Sequence, residues 1–168
     1  MKTLKDIIDY NLKALFIGIN PSLIAVAKGH YHQGKLGKRF WKRLKDYGIL
    51  NYSREGFEDS YLLENRFGIT DIVKRPTRRA DLISKIEFSE GAEILREKII
   101  KYKPGMLCFI YKKAATEAAK KLLGEEIRGF GDIGNKFYGI HTFIMPSMYA
   151  SKEQEKDTMK ELAQFISK

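Results

Sequence analysis

The sequence predicts an α/β fold, a three-layer α/β/α sandwich in which a mostly parallel central sheet of about four strands lies between helices. Short apolar runs such as LFIG, FGITDIV and MLCFIY alternate with longer stretches whose apolar residues recur every three or four positions. Strands separated by helices favour a parallel sheet, because each return to the sheet needs a crossover connection. The chain has 168 residues, 43% of them hydrophobic, and no repeat or linker divides it. We therefore predict one domain over residues 1–168.

The elements of the first half follow from the spacing of apolar residues. Charged and apolar residues alternate with a helical period at the N-terminus, which predicts a helix through about Asp9. A buried strand is expected at residues 14–19, and a helix at 39–47 places its aromatic residues on one face. The run FGITDIV predicts a second strand, which ends before the turn-like segment KRPTRR.

The second half continues the alternation of helix and strand. A helix is expected from Ser89 to Lys103, with Ser89 as its N-cap and Pro104 beyond its end. MLCFIY predicts a buried strand, and KKAATEAAKKLLG predicts an alanine-rich helix closed by Gly124. The segment FYGIHTFIMP supplies one or two further strands, and a last helix covers Lys152 to Ile166.

Composition narrows the class of protein and the kind of partner. Lys and Arg outnumber Asp and Glu by 31 to 21, and the net charge of +10 favours a polyanionic partner, although basic charge also occurs on ordinary solvated surfaces. Cys108 is the only cysteine, which excludes an internal disulfide and a zinc finger or iron–sulfur cluster held by several cysteines. We expect an intracellular, reducing location. No apolar run approaches the ~20 residues of a membrane span, so no membrane contact is expected.

Several motifs of cofactor and metal sites are absent or lie in the wrong context. The segment GFGDIG at 129–134 has the spacing of a dinucleotide-binding turn, but strand residues follow it instead of a helix. A plain loop is therefore expected, and a nucleotide-binding regulatory module is the alternative. His30 and His32 have no carboxylate or cysteine nearby at ligand spacing, so we predict no metal. No P-loop lysine motif or G-x-S-x-G elbow is present, and we expect no cofactor.

The most informative segment is LFIGINP, at residues 15–21. The apolar run stops at Gly18, which permits close approach of a ligand, and Pro21 suits the first turn of a helix. Asn20 then lies at the carboxyl edge of the strand, where open α/β sheets bind ligands. Its amide is able to orient a water molecule and accept a hydrogen bond from it. The alternative is that Asn20 only caps the following helix or forms a side-chain turn.

Four segments, in this order, resemble the mismatch-specific uracil- and thymine-DNA glycosylases. GINPSLIAVAKGHYHQG with RFW, at 18–41, is similar to the first active-site motif of that family, and FGITDIVKRPT at 67–77 is similar to its second segment. The residues Ser, Glu and Gly at 89–91 begin a helix that ends in KYKP, as in family members. MPSMYAS at 145–151 stands at the place of the DNA-wedge loop. The fold of the family, a four-stranded parallel sheet between helices, agrees with the predicted layers.

The resemblance implies a DNA glycosylase that excises uracil from mismatched or damaged duplex DNA, with thymine or another deaminated base as further candidate substrates. Asn20 is then the catalytic, water-positioning residue, and His32, or Tyr31 beside it, stacks on the extruded base. The implied substrate-binding residues are Ile19, Pro21, Ser22, Tyr31, His32 and Ser147. The implied DNA-binding residues are Lys28, Gly29, His30, Lys38, Met148, Tyr149, Ala150, Ser151 and Lys152. We expect a monomer that binds double-stranded DNA without a cofactor.

The chain departs from the family pattern at positions that bear on specificity. Ser22 replaces a glycine, Lys38 stands where an asparagine is frequent, and Ser151 replaces the leucine or arginine that fills the gap left by the flipped base. Met148 or Tyr149 is therefore the expected wedge, with ordinary packing as the alternative for both. The motif carries no lysine nucleophile, which argues against lyase activity. A non-catalytic nucleic-acid-binding relative of the same fold is the alternative function.

Overall fold

A five-stranded sheet organises the molecule, which a computed structural model describes over residues 1–168. The strands are arranged in the order β2-β1-β3-β5-β4. Their bounds are Ala14–Gly18 for β1, Phe67–Asp71 for β2, Met106–Phe109 for β3, Gly131–Asp132 for β4 and His141–Ile144 for β5. All neighbouring strands are parallel except β4, which pairs antiparallel with β5. The predicted mostly parallel α/β sheet is confirmed, with a two-residue antiparallel edge added.

Helices cover both faces of this sheet. Side chains alternate between the faces, so that Phe16 packs in one hydrophobic cluster while Leu15 and Ile17 pack in the other. The first cluster lies under α1 (Leu23–Lys28), α2 (Lys38–Asp46) and α5 (Lys152–Ser167), and the second lies under α3 (Lys85–Tyr102) and α4 (Lys112–Leu123). The predicted three layers are therefore confirmed.

The N-terminal helix predicted through Asp9 is wrong, because this segment is extended along the sheet. Ile7 and Ile69 exchange backbone hydrogen bonds of 3.0 and 2.8 Å beside β2. The Asp6 carboxylate accepts a hydrogen bond of 2.8 Å from Lys74 Nζ. The partners of this segment, Ile69 and Lys74, lie more than sixty residues further along the chain. Tertiary contacts of this kind override the weak helical preference of a short segment.

Helix α3 begins at Lys85, so the prediction of Ser89 as its N-cap is wrong. Ser84 is the cap, since its Oγ accepts a hydrogen bond from the backbone N of Glu87 at 3.2 Å. The Glu87 carboxylate accepts in return from the backbone N of Ser84 at 2.9 Å. The letters SKIE match this capping box. Gly91 lies inside the helix, where a Cβ would collide with the carbonyl oxygen of Ile72 just beyond β2.

The remaining predicted elements agree with the structure to within about a residue at most ends. Strand β1 stops at Gly18, and α4 is closed by Gly124 in the left-handed conformation. The plain loop expected at GFGDIG is wrong at Gly131 and Asp132, which form β4, but no helix follows the segment, so it lacks the context of a dinucleotide-binding turn. None of the helices has the length and apolar composition that crossing a membrane requires.

Candidate active site

A cavity of about 510 Å³ opens at the carboxyl ends of β1 and β2. Gly18 and Asp71, the last residues of these strands, are register partners in the parallel pair. The cavity gathers Asn20 together with most residues predicted to bind substrate, namely Ile19, Pro21, Ser22, Tyr31 and His32. Much of the remaining wall consists of the segment 77–80, Tyr111 and Tyr149. This is the crevice in which open α/β sheets bind ligands.

The hydrogen bonds of the Asn20 amide determine which atom it offers to a ligand. Its Nδ2 donates to the carbonyl oxygen of Arg75 and to Oγ1 of Thr77, both at 2.8 Å. The Thr77 hydroxyl donates in turn to the carbonyl oxygen of Arg79 at 2.8 Å. A backbone carbonyl only accepts, so the nitrogen of the Asn20 amide must face Arg75. The amide oxygen, which receives no hydrogen bond from the protein, remains as the acceptor.

The interpretation of Asn20 as a helix cap is wrong. Helix α1 begins at Leu23, and its N-cap is Ser22, whose Oγ accepts a hydrogen bond from the backbone N of Ala25 at 3.1 Å. The only local contact of the Asn20 amide is a long one of 3.4 Å to the Pro21 carbonyl oxygen. Ser22 therefore serves as the helix cap, and Asn20 is held by the segment after β2.

Asp71 is a buried acid of the cavity that the sequence analysis missed. It is 3% exposed, and neither of its carboxylate oxygens has a hydrogen-bond partner. Burial raises the pKa of Asp71 to about 7, against an opposing effect of Lys74. A Cβ on Gly18 would collide with Oδ1 of Asp71, so glycine provides the space for this carboxyl group. The available signal was an aspartate that ends a buried strand, FGITD, beside the strand that ends in Gly18.

His32 contributes a neutral ring to the same cavity. Its Nε2 is buried without a partner, and burial lowers the pKa of His32 to about 4. The ring centroid lies 4.9 Å from that of Phe40 and 6.3 Å from that of Tyr111. The backbone of His32 is left-handed, with φ of 55°, and Gly37 packs so closely on it that a Cβ would collide.

Tyr31, the alternative stacking residue, is tied into the core. Its hydroxyl donates to the Lys5 carbonyl oxygen at 2.9 Å and accepts from Lys74 Nζ at 3.0 Å. Its own carbonyl oxygen accepts from Trp41 Nε1 at 2.8 Å. Although Tyr31 lines the cavity, it is only 2% exposed. Of the two residues, His32 is the more exposed as a whole, although its Nε2 is buried.

The two candidate wedge residues of the 145–151 loop have different environments. Met148 is 6% exposed and packs in the hydrophobic core, whereas Tyr149 is 82% exposed and reaches the cavity wall. Ser147 Oγ accepts from the backbone N of Tyr149 at 3.1 Å. Ser151 caps α5 through a capping box with Gln154. The side chain of Ser151 is therefore committed to capping α5, and Ala150 connects this cap to the rest of the loop.

The predicted basic DNA contacts lie outside the cavity. Lys28, Lys38 and Lys152 are exposed, and Gly29 is the C-cap of α1. Lys28, His30 and Lys38 border a second depression of about 420 Å³. His30 is also committed within the protein, since its Nδ1 lies 2.7 Å from Oδ1 of Asp59.

The chemical inventory of the cavity is an amide oxygen, a neutral imidazole and a buried carboxyl group. No cluster of three His, Cys, Asp or Glu side chains suited to a metal ion is present. Cys108 is buried in β3, and burial raises the pKa of its thiol. The Asn20 oxygen is able to hold a water molecule by accepting a hydrogen bond, and His32 and Asp71 line the same cavity.

A comparison with known families agrees with this arrangement. The model of the uracil DNA glycosylase superfamily matches residues 5–166, which include every strand, the 145–151 loop and every residue that lines the cavity except Leu4. Members of this superfamily typically act on DNA as glycosylases. By its fold and by this match, the chain belongs to the uracil DNA glycosylase superfamily.

Proposed function

We propose that this protein is a monofunctional DNA glycosylase that removes uracil from mismatched or damaged duplex DNA. The observation that carries the proposal is the Asn20 amide, whose nitrogen is held by Arg75 and Thr77 while its oxygen is left to accept. The likeness of four segments to the mismatch-specific uracil- and thymine-DNA glycosylases supports the choice of uracil and the preference for mismatches.

In the proposed reaction, the Asn20 oxygen accepts a hydrogen bond from the attacking water. The C1′–N1 bond breaks with its electron pair going to the base, and the water oxygen then bonds to C1′. A neutral amide is a poor proton acceptor, so it positions the water without deprotonating it. The sugar therefore becomes cation-like before attack, and DNA phosphates stabilise that charge. Much of the acceleration comes from placement of the reactants, and we expect modest turnover.

His32 is the proposed stacking surface for the extruded base. Its low pKa keeps the ring neutral at physiological pH, and the ring makes no hydrogen bond within the protein, whereas the Tyr31 hydroxyl makes two. Stacking of a base on a flat side chain contributes ~1–3 kcal/mol and tolerates different bases. The ring therefore contributes affinity for the extruded base and little discrimination among bases.

Asp71 is the proposed reader of the polar edge of the base. A protonated carboxyl group has one donor and one acceptor, which match the adjacent C=O and N–H groups of uracil, thymine and hypoxanthine. Its O–H hydrogen bond to the base carbonyl stabilises the negative charge of the leaving base. The departing base takes up, by way of solvent, the proton that the attacking water loses, so Asp71 ends the cycle protonated. A carboxylate would repel the same carbonyl oxygen.

The basic surface and Tyr149 complete the proposal. The net charge of +10 supplies affinity for duplex DNA that falls as salt concentration rises. Extruding a nucleotide costs a few kcal/mol, and least at a mismatch. Tyr149 is the proposed wedge because it is exposed at the rim of the cavity, whereas Met148 is packed in the core.

The test is base release from duplexes that carry single G·U, G·T, A·U or G·hypoxanthine pairs, read by alkaline cleavage. We expect uracil release by the wild type and a loss of roughly 100-fold or more in Asn20→Ala, the scale of a positioned catalytic group. Asn51→Ala, at an exposed asparagine outside the cavity, serves as the matched control and is expected to keep full activity. Tight, salt-dependent binding without release by the wild type would make a non-catalytic DNA-binding protein the better description.

A further inference from the structure

Two arginines of α2 hold the backbone of the 145–151 loop. Arg43 donates from Nη1 to the Pro146 carbonyl oxygen at 2.7 Å and from Nη2 to the Ser147 carbonyl oxygen at 2.6 Å. Arg39 Nη1 donates to the Met148 carbonyl oxygen at 2.8 Å. Three consecutive carbonyl groups of the loop therefore accept hydrogen bonds from arginines one turn apart on a single helix.

The guanidinium group of Arg43 is buried, and its partners are the loop and α5. Its side chain is only 5% exposed, and its one carboxylate partner is Glu155, at 2.8 Å from Nε. Burying a guanidinium group is unfavourable unless its donors are satisfied, and here two of them are satisfied by loop carbonyls. The planar fork of arginine binds both adjacent carbonyls in one geometry, which a lysine cannot reproduce. Arg43 therefore determines the path of the loop backbone.

This backbone path determines which side chain the loop exposes. On one side the loop is held by Arg39 and Arg43, and on the other Ser151 joins it to the capping box of α5. Between these anchors the Met148 side chain enters the core and Tyr149 faces solvent at the cavity rim. A loop held in this way before DNA arrives loses less conformational entropy on binding.

We propose that Arg43, assisted by Arg39, is a positioning residue that preorganises the 145–151 loop so that Tyr149 enters the duplex as the target nucleotide leaves it. This inference rests on the proposed glycosylase function. Neither arginine lines the cavity, so both act on extrusion of the nucleotide and not on cleavage of its glycosidic bond.

The test compares single-turnover release of uracil from a duplex and from a single strand of the same sequence, because a single strand needs no extrusion from a base-paired stack. Arg43→Met is expected to slow release from the duplex by about tenfold or more and from the single strand by about twofold or less, since only extrusion needs the ordered loop. Lys42→Met removes a charge from the same helix at a side chain that is 72% exposed, and it is expected to leave the duplex-to-single-strand ratio unchanged.

Two further variants separate positioning from general destabilisation. Arg39→Met changes an exposed residue with one loop contact, and it is expected to shift the ratio in the same direction by a smaller factor. If the arginine acts through Tyr149, adding Arg43→Met to Tyr149→Ala is expected to slow duplex release little further. Equal loss on both DNA forms in Arg39→Met and Arg43→Met, or no loss on either, would overturn the proposal.

Extrusion is also measured without cleavage, from the fluorescence of 2-aminopurine placed beside the uracil. The wild type is expected to raise this fluorescence on binding, and Arg43→Met is expected to lower the rise. If the wild type releases no base but the signal still depends on Arg43, the glycosylase function fails and the positioning role stands. A signal that is the same in the wild type, Arg43→Met and Arg39→Met contradicts the positioning role alone.

Discussion

Two aspartates near β2 show how differently the same side chain is used. Asp6 is half-buried, and this burial by itself raises its pKa, but hydrogen bonds from Lys74, Lys98 and Thr70 lower the pKa below its ordinary value. Asp71 is the last residue of β2. Its carboxyl group has no hydrogen-bond partner, and its pKa is raised to about 7. The paired acid ties the N-terminal segment to the sheet. The unpaired acid has no hydrogen-bond partner within the protein.

The largest expected difference between the two acids is in the pH dependence of base release. The raised pKa of Asp71 predicts that uracil release by the wild type falls above pH 7, by about tenfold for each further pH unit. Asp71→Asn retains a donor and an acceptor at every pH, so its release is expected to be nearly constant from pH 6 to pH 9. The charged or titratable groups around Asp71 are Asp6, Lys74, Lys98, Tyr31, His32 and Tyr111.

Single-turnover rates for the wild type, Asp71→Asn and the surface variant Asp157→Asn measure this difference. Asp157 is exposed on α5, so its variant is expected to keep the wild-type profile. His32 does not account for a change near pH 7, because its pKa is about 4. A profile that is unchanged in Asp71→Asn would remove Asp71 from the reaction.

The second expected difference concerns the stability that Asp6 contributes. Its lowered pKa means that the folded state favours the carboxylate, so the contribution is present above the ordinary pKa of aspartate and is lost as the pH falls. Asp6→Asn is therefore expected to reduce the free energy of unfolding by roughly 1–3 kcal/mol at pH 7 and by less at pH 3. Urea denaturation at the two pH values measures the change. An equal loss at both would contradict a charge-dependent role.

The smallest expected effect has the opposite sign. Because the pKa of Asp71 is raised, the folded state retains a proton that the unfolded state loses between about pH 4 and pH 7. The contribution of Asp71 to stability is therefore present at low pH and is lost as the pH rises through 7. Asp71→Asn is expected to stabilise the fold by roughly 1 kcal/mol at pH 8, with less effect at pH 5. Thermal unfolding measures it, and destabilisation at pH 8 would show that the carboxylate has partners in solution.

Strand β1, the N-terminal segment and the start of α3 differ in how far they can be predicted from the sequence. The strand LFIG and the residues after it carry local signals, so the edge position of Asn20 was predicted and is observed. The N-terminal segment was assigned to a helix because its periodicity is helical, although its pairing with Ile69 is decided elsewhere in the chain. The N-cap of α3 was misplaced although the capping-box letters SKIE are present.

Local signals in the sequence were sufficient to predict the alternation of strands and helices, the parallel sheet and the place of Asn20 at a strand end, because apolar spacing, glycine and proline act on neighbouring residues. Tertiary structure alone decided that the Asn20 oxygen is left to accept, that Asp71 is an unpaired acid and that Tyr149, not Met148, is exposed. Each of these depends on groups distant in the chain, such as Arg75 for Asn20 and Arg43 for the 145–151 loop. Burial and hydrogen bonding are properties of the assembled layers, and they set both the pKa of a side chain and its freedom to meet a ligand.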